Sequence, residues 1–340
     1  MEALLEFINA LVLVLNFIVI PGLSYGSQLA LGALGITLVY GILRFANFAH
    51  GDSMAFGAMI TILMTWWLQS KGVHFGPLPT ALLALPVGIL FTILMMVTTD
   101  RLVYRHYRWK KSTPITFVIA SIGVMFMMNG IVRFIIGPSD QHFLDGERFI
   151  VRARDFKAMT GLSEGLSIKL SQGLTIVLAI ILVMMLFWFL QRTRMGKAMR
   201  AYSDNEDLAL LSGVNPDRVV LVTWVLTAIL ATVAGTLYGL DKSFKPFVYM
   251  QLLLPMFAAA IVGGIGNPVG AILGGYVIAF SEVMVTYAYK KVFVYLLPSS
   301  LEPSGLLQLL STDYKFAVSF IILVLVLLIK PTGLIAGKAP

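Results

Sequence analysis

The sequence predicts an all-α fold: one polytopic transmembrane helical bundle of about ten spans, occupying residues 1–340 as a single domain. Three observations predict it. Of 340 residues, 58% are hydrophobic and only 12% are charged, whereas a soluble domain carries about 25% charged residues. Mean hydropathy is +0.88. Apolar runs close to the roughly twenty residues that cross a ~30 Å hydrocarbon core recur from one end to the other. The net charge of +8 belongs to span flanks, where Lys and Arg set orientation and meet anionic lipid, and does not point to nucleic acid. The chain has no cysteine, which excludes disulfides, thiolate metal sites and thiol nucleophiles.

The first apolar run, Ala3 to Ile20, has no basic residue ahead of it and reads as an uncleaved span, not a signal peptide. The expected spans then follow at about 3–21, 24–43, 52–69, 78–98, 114–136, 172–190, 219–240, 250–264, 268–287 and 314–330. The eighth is short and ends in glycine, as a partial or broken span would. Two short connections are dense in positive charge: "DRLVYRHYRWKK", with Arg101, Arg105, Arg108, Lys110 and Lys111, and "QRTRMGKAMR", with Arg192, Arg194, Lys197 and Arg200. The positive-inside rule makes both cytoplasmic, and an even number of spans places both termini on that side. Segment 138–171 is then an external loop, too small for a domain and best read as a cap. Its acids Asp140, Asp145, Glu147, Asp155 and Glu164 balance its bases. Segment 288–313 lies on the same side.

The connection 191–218 is the most informative. In "RAYSDNEDLALLSGVNPDRVV", Ser203 with Glu206 three residues on reads as a capping box opening a helix of about two turns. Gly213 can end that helix in the left-handed conformation. Asn215 caps the next helix, with Pro216 at its first position, where the missing N–H costs nothing. Leu208, Leu210 and Leu211 fall largely on one side, and Met195, Met199 and Tyr202 recur at helical spacing before them. Such a loop either folds back on its own bundle or lays its apolar face in a groove on a partner. The residues alone leave both open.

Five segments in order carry a resemblance: "GLSYGSQLALGALGITLVYGILRFANFAHGD", "RMGKAMRAYSDNEDLALLSGVNPDRV", "AGTLYGL", "VGGIGNPVGAILGG" and "DYKFAVSFIILVLVLLIKPTGLIAG". Together they resemble the H-type permease subunits of branched-chain amino acid ATP-binding cassette (ABC) importers, from Gly22 nearly to the C-terminus. The resemblance implies an ABC importer permease in a bacterial inner membrane. It implies a translocation pathway for branched-chain or other apolar amino acids, with urea and short amides as substrates of relatives. It also implies partners: two ATPase subunits, a second related permease and an external solute-binding protein. ATP and Mg are used by the ATPase subunits, since this chain has no Walker lysine motif and binds no cofactor of its own. The segment like 194–218 couples to the ATPase, so Met195, Gly196, Met199, Tyr202, Asp204, Glu206, Leu208, Leu211 and Gly213 are the expected coupling residues. The chain departs from the family in carrying Asp52 where Glu is usual, and in a first span, 3–21, that is longer and more separate.

The polar stretch "FANFAHGDSMAFGAM" interrupts apolar sequence with Asn47, His50 and Asp52. Non-helical backbone at membrane depth survives only where protein buries it or water reaches it. The stretch is either a polar staple, with Asn47 capping the third helix and His50 bonding a backbone carbonyl, or part of the route or its gate. One His and one Asp two apart make a poor metal site. "GGIGNPVGAILGG" lacks the Lys and Ser/Thr of a phosphate loop. Its glycine spacing points to close helix packing, with a broken helix near the substrate, at Asn267, as the lesser reading. Glu282 is the one acid well inside an expected span and is either a neutral or paired core group or a pathway group. Arg133 lies near the outer end of its span and is expected to snorkel. Two functions of other classes compete with the importer: an ion-coupled secondary transporter using Glu282 or Asp52, and a membrane enzyme. For the latter, the four histidines show no catalytic spacing.

Overall fold

In the computed structural model, residues 2–143, 146–296 and 305–335 are described. Asp145, residues 297–304 of the second external segment and residues 336–337 of the closing motif lie outside them.

The chain opens with α1 (Glu2–Val14), a π-helical turn (Leu15–Val19) and α2 (Ile20–Leu43) in unbroken succession. The expected spans 3–21 and 24–43 are therefore one helix. Pro21 falls in the first turn of α2, directly after the π turn, and a single widened turn absorbs the ladder bond that proline cannot donate. The continuous stretch Leu4–Leu43 is 40 residues, about 60 Å at 1.5 Å per residue, or twice the hydrocarbon thickness. One side of its first half meets segment 138–171: Asn9 and Asn16 side chains accept hydrogen bonds from the backbone of Glu164 (3.0 Å) and Ser167 (3.1 Å).

Then come α3 (His50–Ser70), α4 (Ala81–Thr99), a π turn (Asp100–Tyr104), α5 (Arg105–Trp109) and α6 (Pro114–Ile136). The segment after α6 holds a small antiparallel pair, β1 (Phe149–Val151) and β2 (Ile168–Lys169), around α7 (Ala153–Thr160). The rest is helical: α8 (Leu170–Arg192), α9 (Arg194–Asp204), α10 (Glu206–Leu211), α11 (Pro216–Asp241), α12 (Pro246–Gly263), α13 (Pro268–Thr286), α14 (Lys290–Leu296) and α15 (Lys315–Ile329). Among the described residues, eight helical stretches are long and apolar enough to cross a membrane. α3, the expected span 52–69, is not one of the eight: Thr61, Thr65 and its polar first turn dilute it, and it runs buried through the centre. The eighth expected span is a whole helix, α12, with Pro255 inside it.

The two ends of the bundle are distinct. Arg44, just past α2, donates to the Ser203 carbonyl of α9 at 2.6 Å. At that same end the 330–335 segment bonds the α12 terminus, Leu334 N–H to the Val262 carbonyl at 2.8 Å. Glu2 lies at the other end with the β1–α7–β2 segment. The even span count, and the shared side for both termini that rested on it, do not survive the fusion of the first two spans.

α2 and α11 form the centre, buried along most of their lengths. Some buried threonines bond the carbonyl one turn back and need no distant partner, as Thr61 to Gly57 (2.8 Å) and Thr92 to Gly88 (2.8 Å). Glycine brings backbones together where α12 meets α13: a Cβ on Gly263 would lie 2.0 Å from the Gly270 carbonyl oxygen. Gly263→Ala should force that pair apart and, like other overpacking changes, destabilise the chain by about 1–3 kcal/mol. Gly123 of α6 faces open space. Thermal unfolding of the isolated chain in detergent should show a lowered melting temperature for Gly263→Ala and none for Gly123→Ala; equal behaviour would show that the α12–α13 contact carries no such constraint.

Candidate functional site

The loop between α8 and α11 is built by successive caps. Thr193 ends α8 and opens α9: its hydroxyl donates to the Phe189 carbonyl (2.7 Å) and accepts from the Gly196 N–H (3.0 Å). A Cβ at Gly196 would lie 2.3 Å from the Phe189 oxygen, so the sharp bend needs glycine there. Asn205 caps α10, accepting from the Leu208 N–H at 3.0 Å. The expected cap, Ser203, instead sits inside α9, and Glu206 accepts from the Tyr202 hydroxyl at 2.6 Å. Burial first, and then that bond to Glu206, hold the Tyr202 phenol well above its ordinary pKa. Gly213 ends α10 with φ +82° and Asn215 caps α11 with Pro216 behind it, both as expected.

The expected coupling residues separate into two groups. Gly196, Met199 (2% exposed) and Tyr202 are buried and Met195 is half-buried, so this apolar stripe anchors α9 to its own bundle. Leu208 and Leu211 stand 61% and 84% exposed on α10, beside Leu210, while Ala209 points inward. Asp204 lines a cleft of about 650 Å³ between α2, α8, α9 and the α12–α13 turn, together with Gly41, Phe187, Lys197, Arg200 and Asn267.

The polar turn between α2 and α3 is held by an aromatic and ionic cradle. Arg44 takes a left-handed conformation (φ 57°) and turns the chain back toward the bundle. Phe45 packs on Tyr104 and Phe117, each 5.2 Å away, and Tyr104 stacks on Trp224 at 5.4 Å. Trp224 donates to Asp100 at 2.7 Å, and Arg108 clamps the same carboxylate with two bonds of 2.6 and 2.9 Å. The Asn47 carboxamide oxygen accepts from Ala49 N–H (3.1 Å) and Tyr104 hydroxyl (3.4 Å). It closes the turn; it does not cap α3, whose cap position is Ala49 with no side-chain bond. His50 is fully buried against Gly35, with the Gly32 backbone in reach but neither ring nitrogen in good hydrogen-bond geometry. Asp52, 1% exposed, accepts from Asn129 of α6 at 2.7 Å through Oδ1, and its Oδ2 has no partner.

The five gate candidates are not one cluster. Asn47, His50 and Asp52 share the turn, but Asn267 caps α13, accepting from the N–H groups of Val269 and Gly270. Glu282 accepts from the Ser319 hydroxyl and so ties α13 to α15. Sequence reasoning missed Asp100, because the charge-dense stretch around it reads only as a flank; the acid opening "DRLVYRHYR" with a base two turns on was the available signal. Asn129 gave none. Among the described residues, no three His, Cys, Asp or Glu side chains gather as a metal site.

Comparison with known proteins follows the same lines. Residues 18–327 match the family model described as branched-chain amino acid transport system / permease component. The high-affinity branched-chain amino acid transport system permease protein LivH of Salmonella typhimurium is 30% identical, over 92% of this chain and 93% of that protein. The corresponding protein BraD of Pseudomonas aeruginosa is 28% identical, over 93% and 94%. A solved structure, PsaBC from Streptococcus pneumoniae in complex with Fab, aligns over 95% of this chain and 91% of its own at 11% identity, but its TM-score of 0.47 supports no argument. With nearly the whole chain matched, this multi-pass membrane protein belongs to the family of permease components of branched-chain amino acid transport systems.

Proposed function

We propose that the chain forms the translocation pathway of an ATP-driven importer for branched-chain or other apolar amino acids, seated in a bacterial inner membrane. As a permease it is not an enzyme. ATP and Mg would be used by two partner ATPase subunits, a second related permease would complete the pathway, and an external binding protein would deliver substrate. The names of the relatives support the substrate class. The observation that carries the coupling role is the pairing of a rigid base with an open tip: α9 locked down by Met199 and Tyr202, α10 offering Leu208 and Leu211.

Orientation follows from that role. The α9–α10 end is cytoplasmic, as its positive charge requires, and so is residue 335; the β1–α7–β2 segment and the start of α1 are external. Asn47, His50 and Asp52 then stand inward of the cytoplasmic face, where the turn could gate the route, whereas Asn267 and Glu282 serve the packing of α13.

Burying a leucine is worth about 1.5–3 kcal/mol, so losing Leu208 from a groove weakens docking roughly ten- to a hundred-fold, and a buried carboxylate weakens it further. Leu208→Glu should therefore insert and accumulate normally, yet no longer retain the ATPase on purification or support uptake. Co-purification at wild-type level with intact transport would refute the coupling role. The isolated chain should hydrolyse no ATP in a phosphate-release assay; turnover by the chain alone would overturn the importer reading itself.

A further inference from the structure

The helix that begins as α4 does not stop at the membrane boundary. From Ala81 to Trp109 it runs 29 residues, about 43 Å at 1.5 Å per residue, against a hydrocarbon core of about 30 Å. The roughly twenty residues that cross that core end near Asp100. The π turn and α5 that follow therefore stand at headgroup level, beside the start of α11, which Arg105 reaches at Asp217. Trp109, 71% exposed, sits there as an interfacial aromatic does, with the Arg105 guanidinium 4.6 Å from its ring centroid.

Arg101, Arg105 and Arg108 recur at i, i+4 and i+7 and so share one side of this helix. Between them and the start of α11 lies a pocket of about 230 Å³, to which Arg218 adds a fourth guanidinium. Its two acids are already engaged. Asp100 accepts two bonds from Arg108, at 2.6 and 2.9 Å, and a third from Trp224. Asp217 meets Arg105 at 3.4 Å. Arg101 and Arg218 pair with no carboxylate among the described residues. The Arg105 Nε is buried without a partner. One small cavity thus holds four cations against two acids. The rest of its wall includes Val97 and Leu221, the latter 40% exposed. On the same helix, Leu94 and Leu102 line an apolar groove of about 330 Å³ with Phe91 and Met127.

We infer that this pocket holds the phosphate of an anionic membrane phospholipid. The forked N–H donors of arginine match phosphate oxygens, and basic pockets between membrane helices recruit anionic headgroups. A carboxylate on a docked protein offers the same charge. The depth of the pocket at the end of a membrane-crossing helix, with apolar wall and groove beside it, suits instead a ligand that carries its own acyl chains. The phosphate bridges Arg101 to Arg218, and so joins the end of the α4–α5 helix to the start of α11. Asp100 draws the same two elements together from within the bundle.

Native mass spectrometry of the full chain, released from an uncharged detergent, tests this. It counts the lipid retained from an equimolar mixture of phosphatidylglycerol and phosphatidylcholine with identical acyl chains. Wild type should retain phosphatidylglycerol preferentially. In Arg101→Gln/Arg218→Gln that preference should fall roughly thirty-fold, about a factor of five for each cation removed beside an anionic headgroup. Arg192→Gln/Arg194→Gln removes as much charge outside the pocket and should keep the preference. No preference in wild type, or the same loss in both variants, overturns the site. If the first double variant does not fold, Arg101→Gln alone decides: a loss of about fivefold supports the site, and none overturns it. Phosphatidylglycerol should also raise the melting temperature of the delipidated chain, and millimolar inorganic phosphate should not. Equal stabilisation by phosphate, absent in the variant, would assign the pocket to a free anion. Failure of the variant to retain the ATPase, without lipid preference in wild type, would assign it to a partner carboxylate. Either result overturns the lipid site.

Discussion

The structure depends on a single constraint: between α2 and α3 the chain leaves the helix inside the bundle, where every backbone donor must find a partner in protein. His50 packs on Gly35, eight residues before the end of α2, so the turn climbs about 12 Å back along the helix it has just left. Its amides are met by Asn47 and by Ser121, whose hydroxyl accepts from Phe48 N–H at 3.1 Å. Around them, Asp100, in the π turn before α5, draws together Arg108 on α5 and Trp224 on α11 and so ties those two helices about the turn. Removing one partner from such a buried network costs more than forming it gains, because the remaining charge stays buried.

This cradle also links the turn to the loop that reaches outward. Arg44 binds α9 on one side of the turn, and Arg105 meets Asp217, at the start of α11, at 3.4 Å on the other. That second pair is exposed and contributes little energy. A displacement of α9 by a docked ATPase would be felt first at Arg44, the left-handed residue at the foot of the polar turn. The α8–α11 loop and the foot of the polar turn therefore meet at Arg44 and Ser203, although 159 residues separate them in sequence.

Much of this was legible in the sequence. Apolar run lengths marked most spans, and the cap chemistry of Gly213 and of Asn215 with Pro216 placed the loop's exit. The glycines of "GGIGNPVGAILGG" announced the close α12–α13 approach. What failed had physical reasons. A proline near a glycine at 21–22 reads as a break, but a π turn lets the helix continue. Ser203 and Asn205 compete for one cap, and spacing alone does not decide between them. The apolar stripe of Met195, Met199 and Tyr202 looks the same whether it meets a partner or its own bundle; only packing distinguishes it from Leu208 and Leu211. Asn129 is invisible because its meaning lies wholly in a contact with Asp52 across 77 positions.

The central claim is that α9 is anchored and α10 is the surface an ATPase meets. The absence of native cysteine permits a direct measurement. A photoactivatable maleimide probe is placed at Leu211→Cys, or at Met199→Cys as the buried counterpart, and the assembled transporter is irradiated. The account requires an adduct of this chain with the ATPase subunit from position 211 and none from position 199. Adducts from 211 confined to this chain or to lipid would contradict it.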